Sequence, residues 1–312
     1  MFSLWKELVS PSLFQEPRPL KKKKTKITFL DAALLFLLTG VTVFVVYRIT
    51  VGLNYKWNWA AIPQYLFRYD QEKGRWVSGL LMQGLWTTLR LSFWGTLLAI
   101  LFGTVMGLFR VSPSLFKKMV GRTYVELVRN LPPLVFIFIF YFFLSEQIMP
   151  LLGVDHFIRT QSEGTQTFFE IIFAPPSLFT ATLSALLSLA IFEGAYITEI
   201  VRAGVQSIER GQWEASYALG LKRWQQMRHI ILPQAVARIL PPLAGQFISL
   251  IKDSAICAVI SVQELTFQGS ELMAATYFTI ETWLVVSGLY LIMTLSCSLA
   301  VERLEIHMAR SR

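Results

Sequence analysis

Among the ionisable side chains inside otherwise apolar stretches are Arg90, Glu193, Lys252 and Asp253. A charge within a membrane-spanning helix costs about 2.5–3.5 kcal/mol on insertion scales, so such residues are functional candidates by default. Arginine can grip a carboxylate through two parallel N–H bonds, and glutamate can hold an ammonium. Arg90 and Glu193 together would therefore suit a zwitterion. They would equally suit a structural pairing, with each other or with neighbouring helices, and both readings stay open. Gln246 and Ser249, one turn apart after an expected helix restart at Pro241-Pro242, could line the same cavity or bond one helix to another. The pattern points to no catalytic residue and no metal site, since His156, His229 and His307 are scattered without ligand spacing.

These side chains need elements to hold them. Hydrophobic residues make up 54% of the 312 and charged residues only 16%, against about 25% charged in an ordinary domain. A bilayer core of about 30 Å takes roughly 20 residues of helix. Six apolar runs qualify: 29–48, 79–109, about 120–144, 177–201, 236–262 and 282–301. Pro132-Pro133 should kink or restart the third helix. The first run is too long for a signal peptide and offers no small-residue cleavage site, so it is expected to stay as an anchor. By counting, Arg90 falls about 15 Å into its span, near the midplane, and Glu193 in the inner half of its own. Lys252 and Asp253 are expected near an outer end, where side chains snorkel to water. Gly103 and Gly107 form a small-xxx-small pair suited to close helix packing, and Cys257 and Cys297 sit in apolar runs as space-fillers.

Charge orients the chain. With the N-terminus inside, cytoplasmic segments hold seven, five, five and three Lys or Arg, and outer segments hold four, one and none. That bias places both termini in the cytoplasm. It also accounts for the net charge of +9 without nucleic acid. The organisation expected is a cytoplasmic segment 1–28, a span 29–48, a periplasmic loop 49–78, a core 79–303 and a cytoplasmic tail 304–312. Phe2, Trp5, Leu8 and Val9 at helical spacing, followed by Lys21–Lys24, suit anionic lipid at the inner leaflet. A disordered tail serving only as a topology signal fits as well.

Between two apolar runs stands the helix-forming, charged stretch "EASYALGLKRWQQMRHIILP" (214–233). It fits EAA-x3-G-x9-I-x-L-P at every spaced position except Ser216, which replaces the second alanine. This resembles the cytoplasmic loop of permease subunits of bacterial ATP-binding-cassette importers. The segments "AYITEIVRAGVQSIERGQWEASYALGL", "LPPLAGQFISLIKDSAICAVISVQEL" and "YVELVRNLPPLV" resemble its polar amino acid branch, the histidine, glutamate, glutamine and arginine permeases.

The resemblance implies an all-α polytopic fold: the five-helix type I permease core plus one extra N-terminal helix, in the bacterial inner membrane. It implies that residues 213–221 form a coupling helix docking on an ATPase. There Ala215, Ser216 and Ala218 would give a low-profile face and Tyr217 and Leu219 apolar anchors. Glu214 would complement the helix dipole, Gly220 would allow the turn at the helix end, and Pro233 would restart the next helix. No phosphate-binding loop of the G-x-x-x-x-G-K-[ST] type is present, so no cofactor is expected here; ATP and Mg would sit on the partner. The partners implied are two ATPase subunits, a second permease chain (different or identical) and a periplasmic amino-acid-binding protein. The competing classes are an ATP-independent transporter or channel for small polar solutes, which usually shows inverted repeats, and a membrane-bound sensor or scaffold.

Overall fold

A computed structural model describes residues 29–52, 55, 57–72 and 74–310. The amphipathic and lipid-binding expectations for 1–28 lie outside the described residues. Residues up to Lys56 and residues from Trp57 onward form two separate units. In the first, α1 (Phe29–Gly52) is one apolar helix of 24 residues, about 36 Å long and enough to cross a bilayer.

The second unit opens with a small element that the all-α expectation lacks. Strands β1 (Phe67–Asp70) and β2 (Arg75–Ser78) pair antiparallel, with Phe67 opposite Ser78 and Asp70 opposite Arg75. Gly74 supplies the left-handed residue of the turn, at φ +59°. Alternating Phe67, Tyr69 and Trp76 give the hairpin its strand character, masked by the polar residues between them.

The helices follow in order: α2 (Leu80–Val111), α3 (Leu115–Asn130), α4 (Pro133–Phe143), α5 (Phe179–Gln206), α6 (Arg210–Ala218), α7 (Leu232–Asp253), α8 (Leu265–Thr276) and α9 (Thr279–Arg310). Two short helices, Val154–Arg159 and Glu163–Ile172, fill the connection between α4 and α5. Among the described residues, six helical runs are long and apolar enough to cross a membrane: 29–48, 80–111, 133–151, 179–206, 223–260 and 279–303.

Three expectations change. The third span starts at Pro133, because Leu131 and Pro132 are extended and separate it from α3, an amphipathic helix. Pro241 and Pro242 do not restart a helix; both lie inside α7. Pro233 also restarts nothing. It occupies the first turn of α7, and a wide π-turn over Met227–Ile231 joins the preceding Arg223–Gln226 helix to it.

The core is built on α5, where Ala185, Leu189, Ala190 and Ala195 are fully buried. Packing of α2 on α5 depends on the two glycines singled out by spacing. A Cβ on Gly103 would stand 2.6 Å from Ile197, and one on Gly107 would stand 2.7 Å from Val201. No side chain larger than hydrogen fits at that approach.

Candidate functional site

Arg110 at the foot of α2 bonds Glu199 of α5, and Arg202 bonds the same carboxylate at 2.8 Å. Along α2, which runs for 32 residues, Arg90 lies about 30 Å from Arg110.

Glu193 lies about 9 Å from Glu199 along α5 and is fully buried. The positions of Arg90 and Glu193 along α2 and α5 rule out their direct pairing. Glu193 is instead held from α7: Gln246 Nε2 donates to its Oε2. Among the described residues no donor reaches its Oε1. The Asp253 carboxyl of α7 faces it and is half-buried, while Lys252 is exposed. Beyond Asp253 the helix continues as a tighter turn over Ser254–Ile260. Half-buried Ser249 lies on the same face of α7 as Gln246 and Asp253.

Buried Glu193 and half-buried Gln246 and Asp253 thus bring two carboxyls and an amide together between α5 and α7, with acceptor capacity left over at Glu193 Oε1. Helix periodicity could have found Asp253, since positions 246, 249 and 253 share one face.

The charged stretch between the two spans forms α6, set about three residues earlier than 213–221. It ends in a Schellman cap: Gly220 N donates to Tyr217 O at 2.9 Å, and Leu221 N to Ser216 O at 3.3 Å. Gly220 adopts φ +73°, and no neighbour lies within 4 Å of where its Cβ would be. Tyr217 is 78% exposed and Leu219 76%. Glu214 and Ala215 are exposed as well.

Two details differ. Ser216 is 2% exposed and donates its hydroxyl to Trp213 O at 2.8 Å, so it packs the helix onto its own chain and leaves the partner-facing surface. Glu214 is the fifth residue of α6, past its first turn, and Glu209 takes the N-cap position. Arg223 covers the Trp213 ring at 5.5 Å, fastening the next turn to α6.

Sequence inspection missed a buried acid outside the spans. Glu264 caps α8, accepting from Phe267 N at 2.8 Å, Thr266 N at 2.9 Å and the Tyr290 hydroxyl at 2.7 Å. Burial pushes its carboxyl above the usual carboxylate range. The role is structural, joining α8 to α9.

Comparison with known proteins adds three findings. Residues 99–310 match the family described as "Binding-protein-dependent transport system inner membrane component". The chain is 34% identical to the glutamine transport system permease protein GlnP of Escherichia coli, over 81% of this chain and 97% of that one. It is 28% identical to the glutamate/aspartate import permease protein GltJ of the same species, over 81% and 95%. Among solved structures, the crystal structure of an amino acid ABC transporter with histidines superposes with a TM-score of 0.61 at 27% identity, covering 81% of this chain and all of that one. An inward-facing MetNI methionine transporter superposes at 0.55 with 18% identity and shares the fold.

Proposed function

The chain belongs to the family of binding-protein-dependent transport system inner membrane components, and from that premise we propose how it works as a permease of an ATP-driven amino acid importer. It is a multi-pass inner-membrane protein, oriented with both termini in the cytoplasm by its basic segments. Hydrolysis of ATP, with its Mg, takes place on two partner ATPases. A second permease chain, different or identical, completes the pathway, and a periplasmic binding protein delivers the substrate.

The observation that carries this reading is the exposure of Tyr217 and Leu219 on a capped helix outside the membrane spans. Large apolar side chains held out on a rigid, small-residue surface are interface anchors. Closure of the ATPases moves α6, and α6 moves α5 and α7 through Trp213, which packs against a cluster drawn from both. The bundle then alternates between outward and inward access.

The substrate is a polar amino acid, the class named for the relatives above. Its α-ammonium docks between Glu193 and Asp253, replacing the missing donors, and Gln246 holds the Glu193 carboxylate in place. Uptake into proteoliposomes holding the assembled complex tests both parts. Transport driven by enclosed ATP, and competed by a panel of acidic, neutral and basic amino acids, is expected. Transport by the isolated chain under an ion gradient would overturn the proposal.

A further inference from the structure

A polar cavity lies at the outer end of the bundle, away from Glu193. Its volume is about 440 Å³, and Gln83, Thr87, Arg90, Glu170, Thr182 and Gln268 are among its lining residues. Cavities of about 300–1,000 Å³ accommodate small ligands. Arg90 from α2 and Glu170 from the Glu163–Ile172 helix face this space from different elements. Their charges act on each other, yet no N···O contact within 4.0 Å joins them. Among the described residues, neither side chain takes part in an ion pair or a hydrogen bond. A guanidinium and a carboxylate that share a cavity without closing on each other leave room for a ligand bearing both complementary charges. Glu170 is held at this level because Trp94 Nε1 of α2 donates to Ile172 O at 3.1 Å, fastening the short helix along α2. Glu170 is exposed and Gln268 only 5% exposed, so the cavity runs from the outer surface inward.

We propose that this cavity is an outer amino acid station, distinct from the inner site, in which Arg90 takes the α-carboxylate and Glu170 the α-ammonium of the incoming zwitterion. Thr182 lines the outer station and Glu193 the inner one, about 16 Å apart along α5. Substrate released at the surface is captured here by both charged ends at once and then passes to Glu193 and Asp253, which retain the ammonium alone. This order of charges filters what enters. The outer station requires the free carboxylate as well as the amine, and thereby selects amino acids over simple amines.

This inference rests on the importer reading above, and one pair of measurements separates their failures. Wild-type complex, with its ATPases and second permease, is first tested for ATP-driven uptake of radiolabelled amino acids; absence of uptake defeats the importer reading and this station with it. The amino acid taken up is then used for equilibrium binding to the detergent-purified complex without binding protein. Two bound molecules per copy of this chain are expected in the wild type. Arg90→Met and Glu170→Gln should each weaken one of the two at least tenfold, and Glu193→Gln should remove the other. Arg90→Lys should restore part of the lost binding. The corresponding α-amide, which lacks the carboxylate, should compete at the inner station only. Size-exclusion elution of each variant complex reports assembly separately. With uptake intact, a single bound molecule untouched by Arg90→Met and Glu170→Gln would overturn the proposal, as would competition by the α-amide at both stations.

Discussion

Replacement of Gly220 separates backbone from contact effects at the docking helix. Gly220 adopts φ +73° and has nothing within 4 Å of the position a Cβ would take, so a larger side chain meets no neighbour within the chain. The whole penalty is conformational. An L-residue in the left-handed region costs roughly 1–2 kcal/mol, less for asparagine, whose side chain bonds locally. That corresponds to a factor of about 5–30 in the population of the capped conformation. Without the cap, the bonds from Gly220 N and Leu221 N to the last turn are lost, and Tyr217 and Leu219 no longer have a fixed position. ATPase stimulation by substrate-loaded binding protein should therefore fall in the order Gly220, Gly220→Asn, Gly220→Ala, Gly220→Val. Asparagine should stay within about twofold of wild type, and alanine should lose up to the factor above. Equal loss in all three variants would refute the conformational reasoning, since it would mean that bulk, not backbone, is what the site rejects. Unchanged activity in Gly220→Val would refute the need for a cap.

Other perturbations follow from the packing and the inner site. Gly103→Val or Gly107→Val forces α2 away from Ile197 or Val201 and should cost about 1–3 kcal/mol or more, seen as a lower melting temperature of the purified complex. Tyr217→Asp and Leu219→Asp should release the ATPase on copurification while membrane insertion persists. Glu193→Gln removes a charge from the inner site and should abolish ATP-driven uptake in proteoliposomes. Glu264→Ala leaves two backbone N–H groups unpaired, at about 1–3 kcal/mol each, while the Tyr290 hydroxyl keeps its bond to the Thr266 hydroxyl; the cost is measurable as loss of thermal stability.

Much of the fold was legible because a bilayer imposes a simple rule on sequence. Six apolar runs became six helices, and Pro132-Pro133 broke the chain where its missing N–H groups required. The Gly103–Gly107 spacing read correctly as a close helix contact. Prolines misled elsewhere: Pro233, Pro241 and Pro242 are absorbed within one helical run, aided by a π-turn whose existence no local residue pattern announces. The helix at 210–218 was legible in residue spacing and its cap at Gly220 in residue type, but Ser216 turned inward, since a nine-residue helix must still pack one side on its own chain. Glu264 escaped notice because its partners Thr88 and Tyr290 are distant in sequence.

Photo-crosslinking from α6 measures the mechanical link most directly. A benzophenone side chain in place of Tyr217, in the assembled complex, should capture the ATPase subunit in high yield. The same group in place of buried Ser216 should not. Capture of lipid or of this chain alone from position 217, with the ATPase present and active, would contradict the coupling of this helix to ATP hydrolysis.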